Sequence, residues 1–364
     1  MAYDLNKKIK NLKPYESGRG RRKVIFMDAN ESFLPVPKEI KREIVSKIRK
    51  VNVNRYPDPK AKKVCKAFGD FYGVDPACIT AGNGSDELIS LIFQGFFSRG
   101  EKILLTDPDF SMYKFYAEIA ELETIFYPKQ EDFRIEPRAL IALTKAGGCK
   151  GLVLSNPCNP TSQGMRKMPL RTLLKELPDV LVVIDEAYMD FWNQSLINEI
   201  AEFENLIVLR TASKAMGGAA IRLGFAVANK KITKALQGLK SPYNVSSTTQ
   251  AAGEAIFKYP DLLKDALLDM LASRGFLAGA LTKLEADWKD TNYAFHLIPE
   301  SKTNFVVLCF SDRENHKRLY AYLKKQGILI RCFPDFLRVT VGSNEDNQAF
   351  LTALTSFFEQ GRLD

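Results

Sequence analysis

The stretch VLVVIDEAY, residues 180–188, carries the clearest fold signal in this chain. It is a short, β-branched apolar run that ends in acidic residues, as a buried strand of a parallel sheet does. Similar runs lie on both sides of it, separated by helical stretches: KILLT (102–106), ETIFY (123–127), GLVLS (151–155), LIVLR (206–210) and GFAVA (224–228). This alternation predicts an α/β fold with a mostly parallel, doubly wound sheet.

The length of 364 residues predicts more than one domain, because single hydrophobic cores rarely exceed roughly 300 residues. After residue 260 the pattern changes to long helical stretches followed by the strands NFVVLCF, ILIRCF and LRVTV. We therefore expect a large α/β domain over 51–259 and a smaller α+β domain over 260–364. Residues 1–50 would form an N-terminal arm and part of the small domain.

Composition limits the possible partners. The net charge is +9, but the basic residues are spread along the chain, so we expect no nucleic-acid partner. No apolar run approaches the roughly 20 residues of a membrane span, and the start lacks the apolar segment of a secretory signal. We expect a cytoplasmic protein without a membrane association. The six cysteines form no CxxC pair, so no metal site is predicted.

The first candidate site is the glycine-flanked turn GNGSDE, residues 82–87, which leads into a helical pattern. Gly84 lets the backbone approach a ligand closely, and Ser85 and Asp86 begin the helix. Free N–H groups and the helix dipole at such a start can hold a phosphate. Alternatively, Asn83 or Ser85 simply caps the helix.

The second candidate is Asp185, at the carboxyl end of the run VLVVID, where open α/β sheets bind ligands. A carboxylate buried there needs a positive partner. A protonated pyridine nitrogen would suit it, and the ring could then accept electrons from a substrate carbanion. A magnesium-binding aspartate is the alternative, but the chain has no P-loop sequence.

The third candidate is Lys214, in RTASKAMGGAAIR directly after the run LIVLR. A partly desolvated amine at this position is suited to Schiff-base formation. Thr211, Ser213 and Arg222 could complete a phosphate cradle with Ser85. Taken alone, Lys214 could equally be a strand-end residue that points to solvent; together with Asp185, the cofactor interpretation is favoured.

With these residues the sequence resembles the fold type I pyridoxal-phosphate enzymes, and among them the histidinol-phosphate aminotransferases. The resemblance covers nearly the whole chain. It runs in order through NLKPYESGR, MDANES, NRYPDP, GNGSDE, DPDFSMY, SNPCNPT, DEAYMDF, RTASKAMGGAAIRLGF, SPYNVSSTTQAA, KTNFVVL and LRVTVGSNEDN.

The resemblance implies pyridoxal 5'-phosphate as the cofactor and a role for each matching residue. Lys214 would be the Schiff-base lysine and Asp185 the partner of the pyridine nitrogen, with Asn159 and Tyr188 as donors to the ring hydroxyl oxygen. Phe110 would stack on the ring. The remaining implied cofactor contacts are Gly84, Ser85, Asp86, Thr211, Ser213 and Arg222, with Tyr56 reaching in from the second subunit of a homodimer.

The resemblance also implies a substrate site made by Tyr15, Asn30, Arg331 and Arg338. The two arginines would hold the anionic end of the substrate. Two departures from the family pattern lie beside this site: Phe110 where tyrosine is common, and NPTSQG where NPTG is common. Both bear on substrate identity rather than on the cofactor.

The implied activity is transamination between histidinol phosphate and 2-oxoglutarate in histidine biosynthesis. An aromatic amino acid aminotransferase and a phosphothreonine decarboxylase of the same fold remain alternatives. A further alternative is a cofactor-sensing regulatory module. The motif series begins at Asn11, so we expect no DNA-binding domain before it.

Overall fold

The computed structural model describes Asn6, Lys10 and residues 24–360. Within these residues the strands are β1 Ile25–Phe26, β2 Ile79–Gly82, β3 Lys102–Asp107, β4 Glu123–Pro128, β5 Gly151–Ser155, β6 Leu181–Asp185, β7 Leu206–Thr211, β8 Gly224–Ala228, β9 Phe295–Leu297, β10 Phe305–Phe310, β11 Ile328–Leu329, β12 Arg331–Cys332 and β13 Phe336–Thr340. The α-helices are α1 Lys38–Ile48, α2 Lys62–Tyr72, α3 Ser85–Gly95, α4 Met112–Ile119, α5 Pro137–Ala146, α6 Lys167–Glu176, α7 Lys230–Leu239, α8 Ser247–Phe257, α9 Pro260–Trp288, α10 Arg313–Lys325 and α11 Asn344–Gln360.

The central sheet has seven strands in the order β2-β8-β7-β6-β5-β3-β4. Strand β8 runs antiparallel to β2 and β7, and all other neighbouring pairs are parallel. Each of the six apolar runs forms a strand of this sheet. The predicted α/β fold with a mostly parallel sheet is therefore confirmed.

The central sheet is buried on both faces, which explains why its strands are continuous apolar runs. Along β6, Val182 and Ile184 point into one hydrophobic core, and Val183 points into the other. Residues of α2, α5, α6 and α8 pack in the first core, and residues of α3, α4 and α7 pack in the second. Helices thus cover both faces, as a doubly wound sheet requires.

A second, antiparallel sheet follows, in the order β12-β13-β10-β9, and α9, α10 and α11 contribute to its core. The run ILIRCF forms two short strands: β11 pairs with β1, whereas β12 pairs with β13. Residues 260–288 form one long helix. The division of the chain at residues 50 and 259 stays a prediction.

Across the part of the chain that the structure describes, we find no helix with the length and apolar character needed to cross a membrane.

Candidate active site

Three neighbouring parallel strands, β5, β6 and β7, bring their carboxyl ends to one edge of the central sheet. Asp185 is the last residue of β6 and lies opposite Ser155, the last residue of β5, in the sheet register. Lys214 follows three residues after the end of β7. The topology therefore brings the predicted nitrogen partner and the predicted Schiff-base lysine to the same sheet edge.

Asp185 is 4% exposed and is held from two sides. The hydroxyl of Tyr113 donates to its Oδ2 at 2.9 Å, and the backbone N–H of Ala187 donates to its Oδ1 at 3.0 Å. Burial raises the pKa of Asp185 to about 7, because these two hydrogen bonds offset only part of its desolvation. Among the described residues, no lysine or arginine forms an ion pair with Asp185.

Lys214 lies against the segment MDANES. Its Nζ donates to the backbone carbonyl of Ala29 at 3.0 Å and lies 5.7 Å from the centroid of the Tyr188 ring. The next residue, Asn30, is buried, and its side chain donates to the Tyr188 hydroxyl at 2.8 Å. Three of the predicted site residues are thus joined through this short segment.

Arg338 links the second sheet to this site. It lies on β13, is 6% exposed, and donates to the side-chain oxygen of Asn159 and to the backbone carbonyl of Asp28. Arg331 on β12 lies directly opposite Arg338 in the register with β13. Because opposite residues of an antiparallel pair point to the same face of the sheet, the two arginines share one face. Arg331 itself is exposed.

The start of α3 has the features of an anion site. Gly84 is the N-cap residue, with a positive φ of 80°, and no side chain caps the helix. The alternative that Asn83 or Ser85 caps it is therefore wrong. Without a side-chain cap, N–H groups of the first turn are left for a ligand, and Asp86 at this turn accepts a hydrogen bond from Arg222 at 3.3 Å.

Residues after β7 face this helix start. The hydroxyl of Thr211 donates to the Ser213 hydroxyl at 2.9 Å, and Arg222 reaches the same Ser213 oxygen at 3.5 Å. Gly224 brings β8 directly under the turn, since a Cβ on it would lie 2.4 Å from backbone atoms of Gly84 and Ser85. The structure thus gathers the predicted phosphate contacts around one helix end.

The other predicted residues have different surroundings. Phe110 is half-buried, with its ring 5.5 Å from that of Tyr113 in an edge-on arrangement. Tyr56 is 82% exposed, and it stacks on Tyr243 at 4.5 Å, away from the contacts described above. Tyr15 lies outside the described residues.

Sequence reasoning missed Tyr113 as the hydrogen-bond donor to Asp185. The signal was available, because Tyr113 stands in the quoted motif DPDFSMY, three residues after Phe110. It also missed the backbone carbonyls of Asp28 and Ala29 that receive Arg338 and Lys214. Such contacts have no signature in side-chain patterns.

The arrangement fits a phosphorylated pyridine cofactor. The buried carboxylate of Asp185 has no cationic partner among the described residues, which is the environment in which a pyridinium nitrogen would be bound. The uncapped start of α3 with Arg222 would suit the phosphate. The amine of Lys214, three residues after the end of β7, lies at the same sheet edge.

Comparison with known proteins agrees with this geometry. The family described as "Aminotransferase class I and II" matches residues 22–354. Histidinol-phosphate aminotransferase of Clostridium novyi (strain NT) is 38% identical over 346 residues, which are 94% of this chain and 93% of that relative.

Solved structures show the same fold. Histidinol-phosphate aminotransferase from Sinorhizobium meliloti, in complex with pyridoxal-5'-phosphate, has a TM-score of 0.87 at 21% identity and 98% coverage of both chains. L-threonine-O-3-phosphate decarboxylase from Porphyromonas gingivalis has a TM-score of 0.77 at 23% identity, covering 92% of this chain and 100% of the other. The family match and the close relative together mean that the chain belongs to the class I and II aminotransferases.

Proposed function

We propose that this chain uses pyridoxal 5'-phosphate to transfer the amino group of histidinol phosphate to 2-oxoglutarate, as a step of histidine biosynthesis. The observation that carries the proposal is the meeting of Asp185 and Lys214 at one sheet edge with Arg338 from the second sheet. The 38% identity to a histidinol-phosphate aminotransferase supports this substrate. A cytoplasmic location stays a prediction.

Each cofactor contact is proposed on the geometry described above. Asp185 would pair with the ring nitrogen, Asn159 and Tyr188 would contact the ring hydroxyl oxygen, and Phe110 would stack on the ring. The phosphate would lie at the start of α3, held by Gly84, Ser85, Thr211, Ser213 and Arg222. Asp86 would orient Arg222 through their 3.3 Å contact.

When bound, the cofactor supplies an electron sink for a carbanion at the substrate carbon. Asp185 would remain ionised beside a cationic ring nitrogen, because an opposite charge favours its charged form. Lys214 would move a proton at the substrate Cα with its free Nζ. Asn30 donates to the Tyr188 hydroxyl at 2.8 Å, and the Tyr188 ring centroid lies 5.7 Å from this amine.

The anionic end of the substrate is proposed to meet the two arginines of β12 and β13. Arg338 and Arg331 lie on one face of the second sheet, one buried and one exposed. Guanidinium groups bind phosphate with paired hydrogen bonds, so a pair of arginines suits a phosphorylated amine. Tyr15 is assigned to this site by family resemblance only.

We further propose a homodimer in which Tyr56 enters the site of the other subunit. Tyr56 and Val53 are 82% and 91% exposed, which is unusual for large apolar side chains that lie close together in sequence. The loop that carries Tyr56 is nevertheless well anchored, because Lys240 donates to the Pro59 carbonyl at 2.7 Å and Gln250 to that of Asp58 at 2.9 Å. An anchored loop with exposed tips is suited to a protein contact.

An absorption titration tests the function. The purified protein would be loaded with pyridoxal 5'-phosphate and mixed in turn with histidinol phosphate, phenylalanine, O-phosphothreonine and glutamate. We expect histidinol phosphate and glutamate to abolish the visible band of the bound cofactor, each with release of its keto product.

The other substrates separate the competing functions. Carbon dioxide release from O-phosphothreonine without a keto product would replace the proposal with a decarboxylase, the activity named for a fold neighbour. A response to phenylalanine with none to histidinol phosphate would instead indicate an aromatic amino acid aminotransferase. Absence of any visible band would contradict cofactor binding itself.

A further inference from the structure

A buried ion pair, Asp109–Lys129, lies next to the active site and has no role in the function proposed above. The side chains are 3% and 1% exposed, with Lys129 Nζ 3.4 Å from Asp109 Oδ2. Lys129 also donates to the carbonyl of Pro108 at 2.7 Å and to the sulfur of Cys158 at 3.0 Å. Burial opposes the charge on Lys129, but the Asp109 carboxylate and the Cys158 sulfur together outweigh it, and the pKa of Lys129 is raised.

Such a pair contributes little net stability, because the desolvation of two charges offsets most of their attraction. The contacts that Asp109 makes therefore say more about its role than the energy of the ion pair does. The Asp109 carboxylate accepts hydrogen bonds from groups on β3, on the loop that follows β3, and on β5. The donors are the hydroxyl of Thr106, the backbone N–H of Phe110, and both the hydroxyl and the backbone N–H of Ser155.

These contacts connect two of the proposed ring contacts. Asp109 Oδ1 holds the N–H of Phe110 at 2.7 Å. The Ser155 hydroxyl donates to the same carboxylate and accepts the backbone N–H of Asn159 at 3.2 Å. The loop after β3, with Phe110, and the loop after β5, with Asn159, are thus tied to one side chain.

The third ring contact, Asp185, is adjacent to the same cluster. It lies opposite Ser155 in the sheet, and its hydrogen-bond donor, Tyr113, follows Asp109 by four residues. Burial is the main cause of the raised pKa of Asp185, and the negative charge of Asp109 raises it further. The cluster therefore lies beside Asp185 and acts on it through charge.

We propose that Asp109, paired with Lys129, is a positioning residue that holds Phe110 and Asn159 beside Asp185, in one arrangement complementary to the cofactor ring. This inference rests on the proposed function. Three contacts from three strands must match one planar ring, and residues locked by buried hydrogen bonds can meet that requirement. The phosphate contacts, at the start of α3 and after β7, do not touch Asp109.

The test compares the affinities for pyridoxal 5'-phosphate and for inorganic phosphate. Asp109→Asn should weaken the affinity for pyridoxal 5'-phosphate about tenfold, the value of one charge-assisted hydrogen bond. The affinity for inorganic phosphate, measured by competition, should change less than about twofold, within the spread of neutral substitutions. The pH at which the visible band of the bound cofactor titrates should also shift.

Asp190→Asn is the matched control. Asp190 pairs with buried Arg210 at 2.9 Å and accepts from Tyr72 at 2.9 Å, but it contacts none of the proposed ring residues. We expect it to lower the free energy of unfolding without changing the ratio of the two affinities. If Asp109→Asn does not fold, Asp109→Asn/Lys129→Gln gives the same test, since it leaves no unpaired buried charge.

An unchanged affinity ratio and an unchanged titration of the visible band in Asp109→Asn, as in Asp190→Asn, would overturn the positioning role. That result would leave the proposed function intact, because the wild-type protein would still bind the cofactor. A wild-type protein without a visible band would instead overturn the proposed function together with this inference.

Discussion

At the scale of single residues, Asp185 combines burial with a lack of cationic partners among the described residues. A structural carboxylate of this kind would normally meet an arginine or lysine, as Glu186 meets Arg210 at 3.0 Å one residue further along. The contrast between these adjacent acids is informative. Glu186 has an arginine partner, whereas no described residue gives Asp185 a positive one.

This environment predicts a pH-dependent stability of the cofactor-free protein. The pKa of Asp185 is about 7 in the folded protein and 3.8 ordinarily, so the folded state binds the extra proton between these values. Stability contributed by Asp185 is therefore lost as the pH rises from about 4 to about 7, by on the order of 2–4 kcal/mol. Asp185→Asn cannot titrate and should lack this component.

Urea unfolding of both cofactor-free proteins, at pH values from 4.5 to 8 in steps of roughly half a pH unit, measures the difference between their free energies of unfolding. We expect the variant to gain stability relative to the wild type as the pH rises. A stability difference that does not vary with pH would contradict the assigned environment of Asp185.

Arg338 gives a second prediction at this scale. Replacing it with Gln removes a buried guanidinium that contacts Asn159 and the Asp28 carbonyl. We expect kcat/KM for histidinol phosphate to fall about 10- to 100-fold, the value of a charged hydrogen-bonding contact. Arg313→Gln, which removes an exposed arginine paired with Asp335, is the control and should leave kcat/KM unchanged.

At the scale of secondary-structure elements, the phosphate site depends on how closely β8 approaches the turn before α3. Gly224→Ala would place a methyl group 2.4 Å from backbone atoms of Gly84 and Ser85, which cannot move aside as a flexible side chain can. We expect the free energy of unfolding to fall by about 1–3 kcal/mol, as in overpacked cores. The affinity for inorganic phosphate should fall with it.

Gly275→Ala is the control for this prediction. Gly275 lies within α9, with no atom inside 4 Å of an added Cβ, so alanine should raise stability by up to about 1 kcal/mol. If Gly224→Ala and Gly275→Ala had equal effects on the free energy of unfolding and on phosphate affinity, the close packing of β8 on the turn before α3 would be ruled out.

The elements show how far sequence patterns reach. Apolar runs located six strands of the central sheet, because a buried strand must be apolar on both faces. The apolar runs did not predict that β8 is antiparallel to its neighbours, nor did they predict the short strand β2. Strand direction and pairing depend on contacts between residues distant in sequence. The run ILIRCF was expected as one strand, but its halves pair with β1 and β13.

The site shows the same limit. Asp185, Lys214 and the residues around α3 follow recognisable motifs at strand ends, so the sequence predicted their common location. The pair Asp109–Lys129 had no such signal, because 20 residues separate the partners and an isolated lysine is normally exposed. Only the pairing of β3 with β4 brings them together.

At the scale of the whole molecule, the proposal that Tyr56 completes the active site of a second subunit can be tested. Tyr56 is exposed in the single chain and does not contact Lys214 or Asp185, so its predicted role depends on a partner. A hybrid experiment tests this. Lys214→Ala and Tyr56→Ala homodimers should each be impaired, whereas hybrids of the two contain one site with both wild-type residues.

We expect mixing, with reversible dissociation, to restore activity above that of either parent, as shared sites require. The control mixes Lys214→Ala with Asp185→Asn, because both residues belong to the site of their own subunit. In these hybrids each of the two sites lacks either Lys214 or Asp185, so no recovery is expected. No recovery in the first mixture would contradict the contribution of Tyr56 across subunits.

The central claim, that Lys214 holds the cofactor, is tested most directly by borohydride reduction of the protein loaded with pyridoxal 5'-phosphate, followed by peptide mass spectrometry. We expect one stoichiometric phosphopyridoxyl group on Lys214, and its loss when histidinol phosphate is added before reduction. A phosphopyridoxyl group on another lysine, or none on any peptide, would contradict the account.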